Sequence, residues 1–127
     1  MYTTQKEFKG YYYFRKAIRE LYKNDVQTGD LCCKILEIRD KYRYVESISV
    51  ALQDYTIEVE FTPGTEEDKK LVILDKIATL IGYYISDNQD LLPSEVKNDH
   101  KFEIFLESEN HMYCDICLIG DTLTFNL

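Results

Sequence analysis

Ser47-Ile48-Ser49-Val50-Ala51-Leu52-Gln53-Asp54-Tyr55-Thr56-Ile57-Glu58-Val59-Glu60-Phe61-Thr62-Pro63-Gly64 carries the plainest periodicity in the chain. Ile48, Val50 and Leu52 alternate with Ser47, Ser49 and Ala51, and Tyr55, Ile57, Val59 and Phe61 alternate with Thr56, Glu58, Glu60 and Thr62. Successive side chains on a strand point to opposite faces, so this pattern predicts two strands, each buried on one side. Gln53-Asp54 predicts the turn of an antiparallel hairpin, and the outer face of that hairpin is acidic. Thr62-Pro63-Gly64 ends the second strand. Thr65, with Asp68 three residues on, has the form of a capping box opening a helix.

Working outward, the period changes from two to about 3.6 after Glu66. Residues 66 to 86 are expected to be helical, with Leu71, Ile73, Leu74, Ile77, Ala78, Leu80, Ile81, Tyr84 and Ile85 in a wide apolar arc. So broad an arc packs on a sheet and on a second helix. Val72 and Tyr83 fall outside it, beside Lys76 and Thr79, and make a small contact patch through which a homodimer is conceivable. Residues 87 to 100 read as a long connection tucked down by Leu91, Leu92 and Val96. Three strands in a meander are expected to close the chain, at 102 to 107, 112 to 119 and 122 to 127, with Gly120-Asp121 as one of the turns.

Upstream, Phe8, Tyr11, Phe14, Ile18, Leu21 and Tyr22 predict a first helix over 4 to 25, with Tyr13 projecting among its charges. Residues 31 to 42 admit two readings. Leu31, Ile35, Ile38 and Tyr42 keep helical spacing behind a possible Asp30 cap, whereas Cys32 to Ile38 also suits a short buried strand, and the strand-like or mixed reading is slightly preferred. Together these elements give an α+β fold, an antiparallel sheet of five to six strands with two main helices packed on one face. With 127 residues, 45% of them apolar, and no internal repeat or linker, residues 1 to 127 are expected to form a single domain.

Charge is divided along the chain. Residues 1 to 44 hold ten Lys/Arg against six Asp/Glu, and the remaining residues hold five against seventeen, so +4 and −12 sum to the net −8. Direct nucleic-acid binding is therefore not expected, despite Lys16, Arg19, Lys23, Lys34, Arg39, Lys41 and Arg43. The opening residues carry no secretory-signal pattern, and no apolar run approaches the roughly twenty residues of a membrane span. A cytoplasmic protein without a membrane partner is expected. Cys32, Cys33, Cys114 and Cys117 are read as partly buried thiols: Cys114-Asp115-Ile116-Cys117 lies in a predicted strand, where residues three apart face opposite ways, so no metal is expected. His100 and His111 sit beside predicted loops, and the five glycines are too scattered to cradle a phosphate. Neither a cofactor nor catalysis is expected.

If the strands share one sheet with the helices on its apolar side, the other side displays Glu58, Glu60, Glu103, Phe105, Glu107, Tyr113 and Asp115. Carboxylates around exposed aromatics follow the anchor-and-rim pattern of protein interfaces, which makes these seven the candidate partner-binding residues. The preferred expectation is an inhibitor or immunity protein that neutralises a basic partner, such as a nuclease toxin, through this face. A nucleic-acid mimic acting on a defence or restriction nuclease is one alternative. A third follows from element order: helix, strands, long helix, strands resembles the plan of small acidic chaperones of bacterial secretion systems, without their usual final helix.

Overall fold

The computed structural model describes residues 2–3, 12–106 and 114–127. Helix α1 (Tyr12–Thr28) buries Phe14, Ile18, Leu21 and Tyr22, a stripe that recurs every three to four residues. It runs past the expected end at residue 25, and residues 4 to 11 of the expected helix lie outside the described residues. Gly29 stops it in the left-handed conformation, φ +72°, with its N–H donating to the Asp25 carbonyl at 2.6 Å.

Helix α2 (Asp30–Lys41) starts at once and buries Leu31, Ile35 and Ile38. The preferred strand-like reading of 31 to 42 is therefore corrected: spacings of four and three put these three residues on one side of a helix, whereas a strand would expose one of them. Nor does Asp30 cap it. Asp25, one turn back in α1, is 1% exposed, and its carboxylate accepts from the N–H groups of Leu31 at 2.9 Å and Cys32 at 3.1 Å. Thr28 donates its hydroxyl to the same carboxylate at 3.2 Å. The side chain of α1 thus satisfies the exposed donors of the next helix, across a single glycine.

The sheet joins β1 (Tyr2–Thr3), β2 (Val45–Ala51), β3 (Thr56–Phe61), β4 (Asp115–Ile119) and β5 (Thr122–Asn126) in the order β1-β4-β5-β3-β2, every pair antiparallel. Four strands, β2 to β5, carry it; β1 adds only Tyr2 opposite Leu118 and Thr3 opposite Cys117. The expectation of five to six strands is thereby corrected, as is the closing meander. Residues 102 to 106 belong to a helix, and β5 lies between β4 and β3. The β2-β3 hairpin stands as read, with Ile48 opposite Val59 and Val50 opposite Ile57. It turns through a 3-10 segment, Leu52–Asp54, and Tyr55 at φ +59°.

After β3, Thr65 donates its N–H to the Thr62 carbonyl at 3.2 Å around Pro63 and Gly64, with Gly64 at φ +86°. Proline at the second and a left-handed glycine at the third position define a type II turn. The expected capping box does not form, because the Thr65 hydroxyl donates back to the Thr62 carbonyl at 2.7 Å. Helix α3 (Glu67–Asp87) opens with Glu67 and Asp68, carboxylates that suit the positive end of the helix dipole. It buries Ile73, Leu74, Ile77, Ala78, Ile81, Tyr84 and Ile85, and the Tyr84 hydroxyl donates to the Leu21 carbonyl of α1 at 2.8 Å.

The connection to β4 holds a 3-10 turn (Gln89–Leu91), α4 (Ser94–Lys97) and α5 (His100–Leu106). Leu92 and Val96 are buried as anticipated, while Leu91 is exposed. Asp99 begins α5: its carboxylate accepts from the Lys101 N–H at 2.8 Å. Phe102 is fully buried, with its ring centroid 5.5 Å from that of Phe14. The core is one cluster in which Ile57, Val59, Phe61, Ile116, Leu118, Leu123 and Phe125 of the sheet meet the buried stripes of α1, α2 and α3. Three long helices, in place of the expected two, contribute to it.

Candidate functional site: the outer face of the sheet

Because inward and outward positions alternate, the register fixes what the other face shows. From β2 it carries Ser47, Ser49 and Ala51; from β3, Thr56, Glu58 and Glu60; from β4, Asp115, Cys117 and Ile119; from β5, Thr122, Thr124 and Asn126. None of these side chains is buried, and none is a lysine or arginine. Glu58 stands exposed in the row Ser49, Glu58, Thr124, Cys117. Glu60 lies in the next row, between Ser47 and Thr122, and accepts a hydrogen bond from the Thr122 hydroxyl at 2.8 Å. The face is therefore a band of small hydroxyl side chains with two carboxylates rising from β3, the strand beside β2.

Asp115 occupies a corner of the same face, opposite Asn126, and is already engaged. Arg15 of α1 approaches its Oδ2 at 3.3 Å through Nη1 and donates from Nη2 to the Asn126 carbonyl at 3.1 Å. Arg19 adds two bonds to the Leu127 carbonyl, at 3.0 and 2.8 Å, with its guanidinium 4.6 Å from the centre of the Tyr55 ring. Part of the basic N-terminal half thus binds the end of the sheet.

Of the seven anticipated partner-binding residues, Glu58, Glu60 and Asp115 share the outer face. Glu103 does not: it lies on α5, exposed, with Oε2 3.6 Å from His100 Nδ1. Phe105 also falls in α5 rather than on a strand. The cause of both corrections is the Asp99 cap, which starts a helix where alternation of Phe102, Ile104 and Leu106 suggests a strand. Glu107 and Tyr113 lie outside the described residues.

A second feature escaped the sequence. Between α2 and α3 lies a cavity of about 440 Å³ lined by Lys34, Glu37, Ile38, Lys41, Tyr42, Asp75, Lys76, Thr79 and Leu80. A neighbouring hollow of about 370 Å³ reaches Asp30, Tyr83 and Asp87. Reading residues 31 to 42 as strand-like hides this groove, although Leu31, Ile35 and Ile38 hold the signal for it. Val72 and Tyr83 are exposed on α3, as their positions outside the apolar arc imply.

Cys114 is buried and Cys117 lies on the outer face, so the two CxxC thiols sit on opposite sides of β4. Burial, and then the charges of Cys33 and Asp25, push the Cys32 thiol up from its ordinary range, which makes its thiolate scarcer. Among the described residues no three His, Cys, Asp or Glu side chains converge on a common point suited to a metal ion. No described helix is long and apolar enough to cross a membrane. No family model matches the chain, and comparison with the curated proteins and with the solved structures found no match.

Proposed function

We propose that this chain is a non-catalytic, cytoplasmic binding module that takes up a basic protein on the outer face of its sheet. The observation that carries the reading is the absence of any lysine or arginine among the twelve described outward positions of β2 to β5, with Glu58 and Glu60 at their centre. An inert sheet face mixes both signs of charge, whereas one sign alone draws an oppositely charged protein and speeds its encounter. Occupying the cationic surface of such a partner would keep a polyanion from it, which is how an inhibitor of a nuclease-like protein would act. Asp115 contributes less, since Arg15 neutralises it.

The test is co-purification from the cell that makes the protein, with wild type and with Glu58→Lys/Glu60→Lys, at low and at raised salt. A basic protein retained by the wild type, released by salt and not retained by the double variant supports the reading. Equal retention by the two proteins, or retention indifferent to salt, rejects it. Glu58 is exposed, while Glu60 is half-buried and loses one hydrogen bond from Thr122, so the double variant should fold and melt within about 1.5 kcal/mol of wild-type stability.

A further inference from the structure

The two edges of the sheet are unequal. β1 lies along β4, whereas no described strand pairs with the far side of β2. Hydrogen-bond parity shows which groups stand on that far side. Phe61 donates its N–H to the Asp121 carbonyl at 2.8 Å and Leu127 donates to the Tyr55 carbonyl at 2.8 Å, so the odd-numbered residues of β3 bond towards β5. Thr62 donates to the Tyr44 carbonyl at 3.0 Å, so the even-numbered ones bond towards β2. In an antiparallel ladder bonded and non-bonded pairs alternate, so Ser47, Ser49 and Ala51, opposite Glu60, Glu58 and Thr56, use their main-chain groups within the hairpin. The amides and carbonyls of Ile48 and Val50 point away from the sheet. No turn, cap or side-chain bond takes them up among the described residues.

An edge of this kind is ordinarily blunted by lysine, proline or a bulge. β2 has neither lysine nor proline, and its one irregularity falls between Val45 and Ser47, leaving Ser47 to Ala51 regular. Its inward side chains are also incompletely covered: Ile48 and Val50 are half-buried, while their partners Val59 and Ile57 are wholly buried. On the outward side Ser47 and Ser49 are short. A strand added beside β2 would lie about 10 Å from β3, twice the spacing of neighbouring strands, and only these two serines would stand between its outward side chains and Glu58 and Glu60.

We propose that the basic partner docks as an added β-strand along β2. Its main chain bonds to the outward groups of Ile48 and Val50, its apolar side chains cover those same two residues, and its lysines or arginines reach over Ser47 and Ser49 to Glu58 and Glu60. The occupant is thus an extended segment alternating apolar and basic residues. The two periods match, because residues opposite Ile48 and Val50 point inward and residues opposite Ser47 and Ser49 point outward. This deepens the function proposed above and rests on it.

The probe is an eight-residue peptide of alternating lysine and valine with blocked ends, titrated against the full chain while amide exchange is followed residue by residue. Its control has the same charge and every valine N-methylated, which removes the donors that would face Ile48 and Val50. Slowed exchange at the Ile48 and Val50 amides is expected, with affinity falling about tenfold for the N-methylated peptide, equivalent to one or two main-chain hydrogen bonds. A similar fall is expected in Glu58→Lys/Glu60→Lys. Equal binding of the two peptides, protection elsewhere than β2, or no binding overturns strand addition. Those outcomes leave the acidic-face reading to the co-purification above; failure there, with the peptide still bound to β2, would remove the proposed function and keep the edge site.

Discussion

Asp25→Ala tests the joint between α1 and α2. Asp25 is buried at 1% exposure and accepts three hydrogen bonds, from Leu31 N–H, Cys32 N–H and the Thr28 hydroxyl. The Leu31 amide belongs to a residue that is itself 1% exposed, so water cannot readily replace the lost acceptor. Loss of a helix N-cap costs about 0.5–2 kcal/mol. Leaving a buried donor unpaired costs about 1–3 kcal/mol, and because the two figures describe overlapping contacts the expected loss is about 3 kcal/mol rather than their full sum. For a chain of this length that lowers the melting midpoint by roughly 10 °C. Asp25→Asn, which keeps one oxygen acceptor, should lose about half as much. Urea unfolding followed by far-ultraviolet circular dichroism measures both, with the denaturant slope checked for constancy. A loss below about 0.5 kcal/mol for the alanine variant, the range of an ordinary surface substitution, would refute the claim that this carboxylate starts α2.

Two further tests address the core. Burial, assisted by the charge of Asp25, raises the Tyr84 hydroxyl from its ordinary 10 to about 12. A group that keeps its proton longer when folded contributes stability below pH 10 that is lost as pH rises towards 12, so wild type should lose urea resistance over that window more steeply than Tyr84→Phe. Parallel slopes would contradict it. Phe102→Ala removes a wholly buried ring that contacts Phe14 and should cost about 3–5 kcal/mol. A cost under about 1 kcal/mol would mean that α5 is not anchored in the core as described.

Where local pattern and tertiary contact agree, the sequence is legible. The β2-β3 hairpin and α3 follow from periods of two and about 3.6 held over many residues, and Gly64 and Gly120 mark the turns that need a left-handed backbone, at φ +86° and +59°. Shorter runs mislead. Phe102, Ile104 and Leu106 alternate as a strand would, yet Asp99 initiates a helix through them; the aspartate before the run is the signal that opposes the alternation. The second helix is hidden for a different reason. Its cap comes from Asp25 in the preceding helix across Gly29, and a window centred on residues 31 to 42 does not contain it.

The charge division survives in altered form, and the alteration decides how a partner could be held. Periodicity suggests seven groups on one surface; Glu58 and Glu60 remain there with no ion pair among the described residues, whereas Asp115 is joined to Arg15 and Glu103 stands on a helix. Other acidic residues of the C-terminal portion, among them Glu66, Glu67, Asp68, Asp75 and Asp87, lie on or beside α3. An exposed ion pair contributes roughly 0.2–1 kcal/mol, so two carboxylates supply at most about 2 kcal/mol, enough to orient an encounter and too little to hold a complex. Micromolar binding needs about 8 kcal/mol. The remainder must come from apolar cover and hydrogen bonding, and beside these carboxylates the described residues offer both at the half-covered Ile48 and Val50 and their outward main-chain groups. On the proposed reading the acidic face and the open edge would act as one site: the first selects a basic segment and the second retains it.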